Sequence, residues 1–145
     1  MFTGEYFHTF DNKSRVIIPS RFREELGGNV FIGKGLDKCL FVYPYKTWEE
    51  FSSKLKKLSV LSAEHRFFSR RFLSGFSECN VDRQGRLLLP SNLREYSELK
   101  DEVVIIGVLD RIEIWSKKVW ESYSLENEMN FENIAEKMSE LGLDL

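Results

Sequence analysis

The chain has 145 residues, 42% of them hydrophobic and 30% charged, with a net charge of −2. This length suits one compact domain or two half-domains sharing a core, and the balance is that of a soluble globular protein. No apolar run approaches the ~20 residues of a membrane span, no basic stretch leads into an apolar one at the start, and Cys39 and Cys79 lie far apart with no partner at metal spacing, which fits two reduced thiols in a cytosolic protein.

Residues 3–10 are rich in aromatic and β-branched types and read as a strand. Asp11-Asn12-Lys13-Ser14 reads as a turn, because Asp and Asn bond their own backbone and tolerate positive φ. Residues 15–18 form a second strand, so the two are expected to make a hairpin. Pro19-Ser20 opens a short helix, with Ser20 placed to cap it and Leu26 closing it before Gly27-Gly28. Strands over 30–32 and 40–43 flank a loop with Gly33, Gly35 and Asp37. Trp48, Phe51, Leu55 and Leu58 share one helical face, and 62–73 form a further helix. The plan then recurs: strand 76–81, turn 82–85, strand 86–89, a helix from Ser91, and strands 102–106 and 112–115. In the tail, Phe131, Ile134, Met138 and Leu141 make a helical packing stripe for the body or for another copy of the chain. Residues 121–145 hold seven acids and one base, leaving 20 bases and 16 acids in residues 1–120. An acidic tail thus hides a moderately basic body, which permits an anionic partner.

The recurrence is close. DNKSRVIIPSRFRE begins at Asp11 and DRQGRLLLPSNLRE at Asp82; Asp11/Asp82, Arg15/Arg86, Pro19/Pro90, Ser20/Ser91 and Arg23/Arg94 all lie 71 apart. The echo continues at an offset of 73 through Val30-Phe31-Ile32 against Val103-Val104-Ile105, and at 72 through Leu40-Phe41-Val42-Tyr43 against Ile112-Glu113-Ile114-Trp115 and Lys46-x-Trp48 against Lys118-x-Trp120. A unit of about 45 residues is small for a core of its own, so two such units are expected to bury their apolar faces against each other. The copies differ in charge. Lys13 stands third in the first motif and Arg83 second in the other, and Asn92 replaces Arg21. The first copy is therefore expected to supply more of any phosphate attraction.

These two segments resemble the paired copies of the MraZ family of bacterial transcriptional regulators, within the AbrB/SpoVT group of swapped-hairpin DNA-binding proteins. The resemblance covers nearly the whole chain, including the opening FTGEYFHTFD and the linking helices. It implies an α+β fold: a tandem swapped-hairpin, AbrB-like β-barrel with pseudo-twofold symmetry plus flanking helices. On this reading 5–47 is the first unit, 48–75 the linking helices, 76–119 the second unit and 120–145 an acidic helical tail. The resemblance further implies a ring-shaped homo-oligomer that binds double-stranded promoter DNA carrying repeated boxes. It implies regulation of cell-division and cell-wall genes, in the cytoplasm and associated with the nucleoid, with no cofactor and no small-molecule substrate. By motif position the DNA-contacting residues are Lys13, Arg15, Arg83 and Arg86, with Arg21, Arg23 and Arg94 on the short helices beside them. Asp11 and Asp82 look like turn-formers.

Elementary chemistry agrees with that site. A two-stranded ribbon enters a major groove, where Arg bonds two acceptors on a guanine edge, while other cations neutralise phosphates. The plainer reading of Asp-x-x-x-Arg is a turn held by an exposed ion pair, and Arg21, Arg23 and Arg94 could equally pair with Glu24, Glu25 and Glu95. Arg66 and Arg70 share a face of the linking helix, beside His65 and Arg71, and read as a phosphate patch, an interface or a solvated face. His8 and His65 have no partner at motif spacing and are taken as structural. An antitoxin-like interaction module is the alternative function; the regular helical stripe of the tail disfavours it. An enzyme is not expected, because no nucleophile–base pair, acid cluster or metal set is present in the sequence.

Overall fold

The computed structural model, which describes residues 1–144, builds the repeated plan into fourteen elements. The first half forms β1 (Glu5–Thr9), β2 (Arg15–Ile17), α1 (Ser20–Leu26), β3 (Asn29–Lys34), β4 (Leu40–Pro44), α2 (Tyr45–Lys56) and α3 (Ala63–Ser74). The second forms β5 (Ser77–Asn80), β6 (Arg86–Leu88), α4 (Ser91–Tyr96), β7 (Glu102–Val108), β8 (Arg111–Ser116), α5 (Lys117–Glu128) and α6 (Phe131–Glu140). Proline punctuates both halves. Pro19 and Pro90 follow β2 and β6 because a residue without an N–H cannot extend a ladder, and each occupies the cap position of the next helix at φ −50 and −57. The cap expected of Ser20 is therefore not made: Ser20 is already inside α1, and no side chain bonds that helix start.

The expected hairpin between the first two strands is replaced by an exchange. β1 pairs antiparallel with β7, Tyr6 opposite Ile105, and β5 pairs with β3, Cys79 opposite Val30. β2 pairs with β6 as a separate ribbon, Val16 opposite Leu87. Each half thus completes the other, as a half too small to close its own core must. The main sheet runs β1-β7-β8-β4-β3-β5, an order that reads the same when the halves are interchanged. Among the described residues its edges β1 and β5 are not paired to each other, so the expected barrel is not closed through this sheet. The result is a tandem swapped-hairpin α+β fold.

Register fixes the pseudo-twofold axis. Phe41 of β4 lies opposite Glu113 of β8, its own counterpart at offset 72, as Val16 lies opposite Leu87 at offset 71. One face of the sheet packs Val30, Ile32, Leu40, Val42, Ile105, Ile112 and Ile114 against Val16, Ile18, Leu87 and Leu89 of the ribbon and against Phe22 and Leu93 of α1 and α4. The other face gathers Phe41, Tyr43 and Trp115 under aromatics of α2, α3 and α5. Tyr43 stacks on Phe51 at 6.1 Å, and Trp115 meets Trp120 edge-on at 5.0 Å. Most of the aromatic content is therefore core, as expected from its spacing. Glu113 is buried at the axis, where it accepts bonds from Arg111 Nη2 at 2.8 Å and Trp115 Nε1 at 3.1 Å, while the Arg111 guanidinium lies 4.1 Å over the Phe41 ring.

The tail forms helices as its spacing predicts, but no residue of the stripe is buried. Phe131 is 62% and Leu141 80% exposed, and α6 buries no residue. Among the described residues no helix is long and apolar enough to cross a membrane.

Candidate nucleic-acid interface

The two Asp-x-x-x-Arg segments fold into the same small device. Asp11 Oδ1 accepts the backbone N–H groups of Lys13 at 2.8 Å and Arg15 at 2.9 Å, and its Oδ2 accepts Arg15 Nε at 2.6 Å. Asp82 repeats this with Gln84 and Arg86, both at 2.9 Å, and with Arg86 Nε at 2.7 Å. The spacing explains the device: a carboxylate two and four residues ahead of the N–H groups spans a single tight turn, which needs a residue at positive φ before the Arg. Ser14 takes φ 60 and Gly85 takes φ 77. The backbone bond from Arg15 holds the Asp11 carboxyl below its ordinary 3.8, and Arg86 does the same for Asp82. The turn-forming role expected of both acids is thus realised in atoms. Each Arg spends its Nε on the acid, and among the described residues no bond is made by its two Nη groups. Those groups form the outer edge that pairs with two acceptors at once.

The ribbon sets the two devices at opposite ends. The Ser14 carbonyl accepts Leu89 N–H at 3.0 Å, and the Gly85 carbonyl accepts Ile18 N–H at 2.7 Å. Each turn therefore sits against the exit of the other half's strand, and so against the other half's short helix. Lys13 and Arg15 share one end with Arg94; Arg83 and Arg86 share the other with Arg21 and Arg23. A Cβ added at Gly85 would fall on the Arg23 guanidinium, which shows how closely the halves meet. The charge surplus expected of the first copy is redistributed by this exchange, with four cations at the second turn and three at the first.

The seven candidate residues separate into two kinds. Lys13, Arg21 and Arg83 are exposed and Arg15 and Arg86 half-buried, all at the ribbon ends. Arg23 and Arg94 instead donate Nε to the carbonyls of Ile18 at 2.8 Å and Leu89 at 3.1 Å, which ties each helix to the strand before it. Neither the Glu24, Glu25 nor Glu95 pairing weighed for them occurs among the described residues. On the outer face of the ribbon, beside the arginines, stand Ile17 and Leu88. Sequence reasoning took both only as members of an aliphatic run; the alternation Arg15-Val16-Ile17 was the available signal, since every second residue of a strand faces outward. Both thiols are pushed up by burial, Cys39 far more than Cys79, so neither is a reactive thiolate. Among the described residues no cluster of His, Cys, Asp or Glu is placed to hold a metal.

Fold and site together define a single-chain swapped-hairpin protein whose acid-clamped arginines lie at the two ends of a crossing ribbon. Comparison with known proteins narrows the class. The family model described as "MraZ protein, putative antitoxin-like" matches twice, over residues 1–71 and 72–141. The chain is 56% identical over 138 residues to the transcriptional regulator MraZ of Moorella thermoacetica, covering 95% of this chain and 96% of that protein. It is 52% identical to that of Desulforamulus reducens, covering 97% and 99%, and 50% identical to that of a Thermoanaerobacter species, covering 99% and 100%. The chain belongs to the MraZ family, whose named members are regulators and not enzymes.

Proposed function

We propose that this protein regulates transcription by binding double-stranded promoter DNA through the β2–β6 ribbon, without a cofactor. The observation that carries the reading is the pair of symmetry-related arginines whose Nε groups are bound by Asp11 and Asp82 while their Nη groups make no bond among the described residues. Arg15 and Arg86 read guanine edges, each contributing ~1–3 kcal/mol of discrimination against a wrong base. Lys13, Arg83 and Arg21 neutralise phosphates, and Arg23 and Arg94 position the corners from which the helices leave. One ribbon makes few contacts, so several copies arranged as a ring along repeated promoter boxes raise affinity through effective concentration. The acidic, apolar α6 and the basic, partly apolar α3 support assembly of the chain with itself: Phe131 and Met138 on one, Phe67 and Phe68 on the other, are exposed and carried beside opposite charges. The targets extend, through the family resemblance, to cell-division and cell-wall genes, and the working place to the nucleoid within the cytoplasm.

The test is binding to the DNA upstream of the protein's own gene across a salt series, beside a protein carrying Arg15→Ala and Arg86→Ala. The double variant is expected to lose affinity and sequence preference. A slope change of about 0.9 per lost contact would mark a phosphate role instead; unchanged affinity and slope would end the assignment. The family description's "antitoxin-like" keeps a protein-partner reading in view, and a wild-type chain that ignores this DNA while capturing a protein partner through the ribbon would favour it.

A further inference from the structure

The outer face of the β2–β6 ribbon carries four side chains in two cross-strand pairs, Arg15 opposite Leu88 and Arg86 opposite Ile17. Their inward neighbours Val16 and Leu87 are fully buried, so alternation would place polar residues outside. Instead Ile17 is 43% and Leu88 58% exposed. A single exposed aliphatic is ordinary on a protein surface. These two are counterparts, 71 residues apart, and each stands against an arginine clamped by an aspartate. An exposed aliphatic repeated by the symmetry of the site faces whatever the site faces.

Resting on the DNA-binding reading above, we infer that Ile17 and Leu88 contact thymine methyl groups in the major groove, and so set specificity for thymine beside guanine. The thymine C5 methyl is the apolar feature that a base pair displays in that groove. Side chains two apart on a strand are separated by roughly 7 Å and adjacent strands by about 4.8 Å. A patch of that size fits a groove ~12 Å wide, and its long edge spans about two base-pair steps of ~3.4 Å. Each arginine therefore meets a guanine while the aliphatic across the ribbon meets a neighbouring base pair. Burying one methyl is worth about a fourfold change in affinity.

The experiment uses the full-length protein and a duplex from upstream of its own gene, prepared once with thymine and once with 2′-deoxyuridine throughout, which removes only the methyls. Wild-type protein is expected to bind the uracil duplex roughly fourfold more weakly for each methyl contacted. A variant with Ile17→Ser and Leu88→Ser, both at exposed positions, is expected to bind the two duplexes equally and to keep the wild-type salt slope. Equal wild-type affinity for both duplexes would overturn the inference while leaving DNA binding intact, as would a double variant that still prefers thymine. If the wild type binds neither duplex, the DNA reading falls and takes this one with it.

Discussion

At the scale of single residues, Asp11 and Asp82 control what Arg15 and Arg86 present. Replacing both acids with Asn keeps an oxygen for the two backbone N–H groups and removes the carboxylate from Nε. The turns are expected to survive while the arginines lose their fixed direction. Ordering a long side chain costs ~0.5–1.5 kcal/mol on binding, so DNA affinity is expected to fall roughly 2- to 12-fold for each arginine freed, at an unchanged salt slope. Titration of binding in a salt series separates this from loss of charge. The same acids carry a pH signature. Their carboxyls sit below the ordinary 3.8, so their contribution to stability is present above that value and is lost as pH falls through the depressed one. Acid denaturation followed by circular dichroism should show a shallower decline below about pH 4 in the double Asn protein than in the wild type.

At the scale of elements, the two turns differ in how they meet one backbone demand. Gly85 reaches φ 77 without strain, whereas Ser14 holds φ 60 with a side chain. Left-handed backbone costs a non-glycine residue ~1–2 kcal/mol, partly offset by the greater entropy that glycine loses on folding. Ser14→Gly is therefore expected to stabilise by up to about 1 kcal/mol in urea denaturation. Gly85→Ala is expected to destabilise by more than that, because its Cβ also displaces Arg23. Element α6 behaves oppositely: it buries nothing in the single chain. Ile134→Asp with Met138→Asp should leave the melting curve of the body nearly unchanged while abolishing, in sedimentation velocity, the self-assembly proposed above. Element positions were legible because Pro19, Pro90, the Asp-led turns and the helical spacing of Trp48 to Leu55 punctuate the chain locally, although α2 stops at Lys56 and leaves Leu58, expected on the same face, outside it. Pairing partners were not. The pattern Arg15-Val16-Ile17 buries Val16 equally well whichever strand lies alongside, so the sequence favoured the nearest one. That same ambiguity hid the mixed origin of the cation clusters: Arg21 and Arg23 reach the second turn only because the strands exchange. The backbone bonds of Arg23 and Arg94 were hidden too, since a carbonyl acceptor leaves no trace in composition.

At the scale of the whole molecule, the pseudo-twofold axis is where the two halves stop being interchangeable. Phe41 faces Glu113 there, and Arg111 serves both, bonding the acid and covering the ring. Burial opposes the Arg111 charge, yet Glu113 more than offsets it, and the group is held above its ordinary value. Breaking such a pair leaves a buried carboxylate unmatched, so Arg111→Leu is expected to cost about 2–4 kcal/mol, somewhat under the figure for a fully buried pair because Arg111 is partly exposed. Arg111→Leu with Glu113→Leu should recover most of that loss, and a double-mutant cycle in urea measures the coupling. The exchange of strands also has a consequence for how the protein is made. Thr9 pairs with Glu102, so β1 leaves the ribosome long before its ladder partner exists. At about 5–20 residues per second the nascent chain carries that bare strand for roughly 5–20 s. A message truncated before β8 leaves β7 and β4 without the strand that joins them. The first strand thus enters the native sheet only once β7 has been made, and β8, the last strand to be synthesised, then joins that pair to the rest of the sheet.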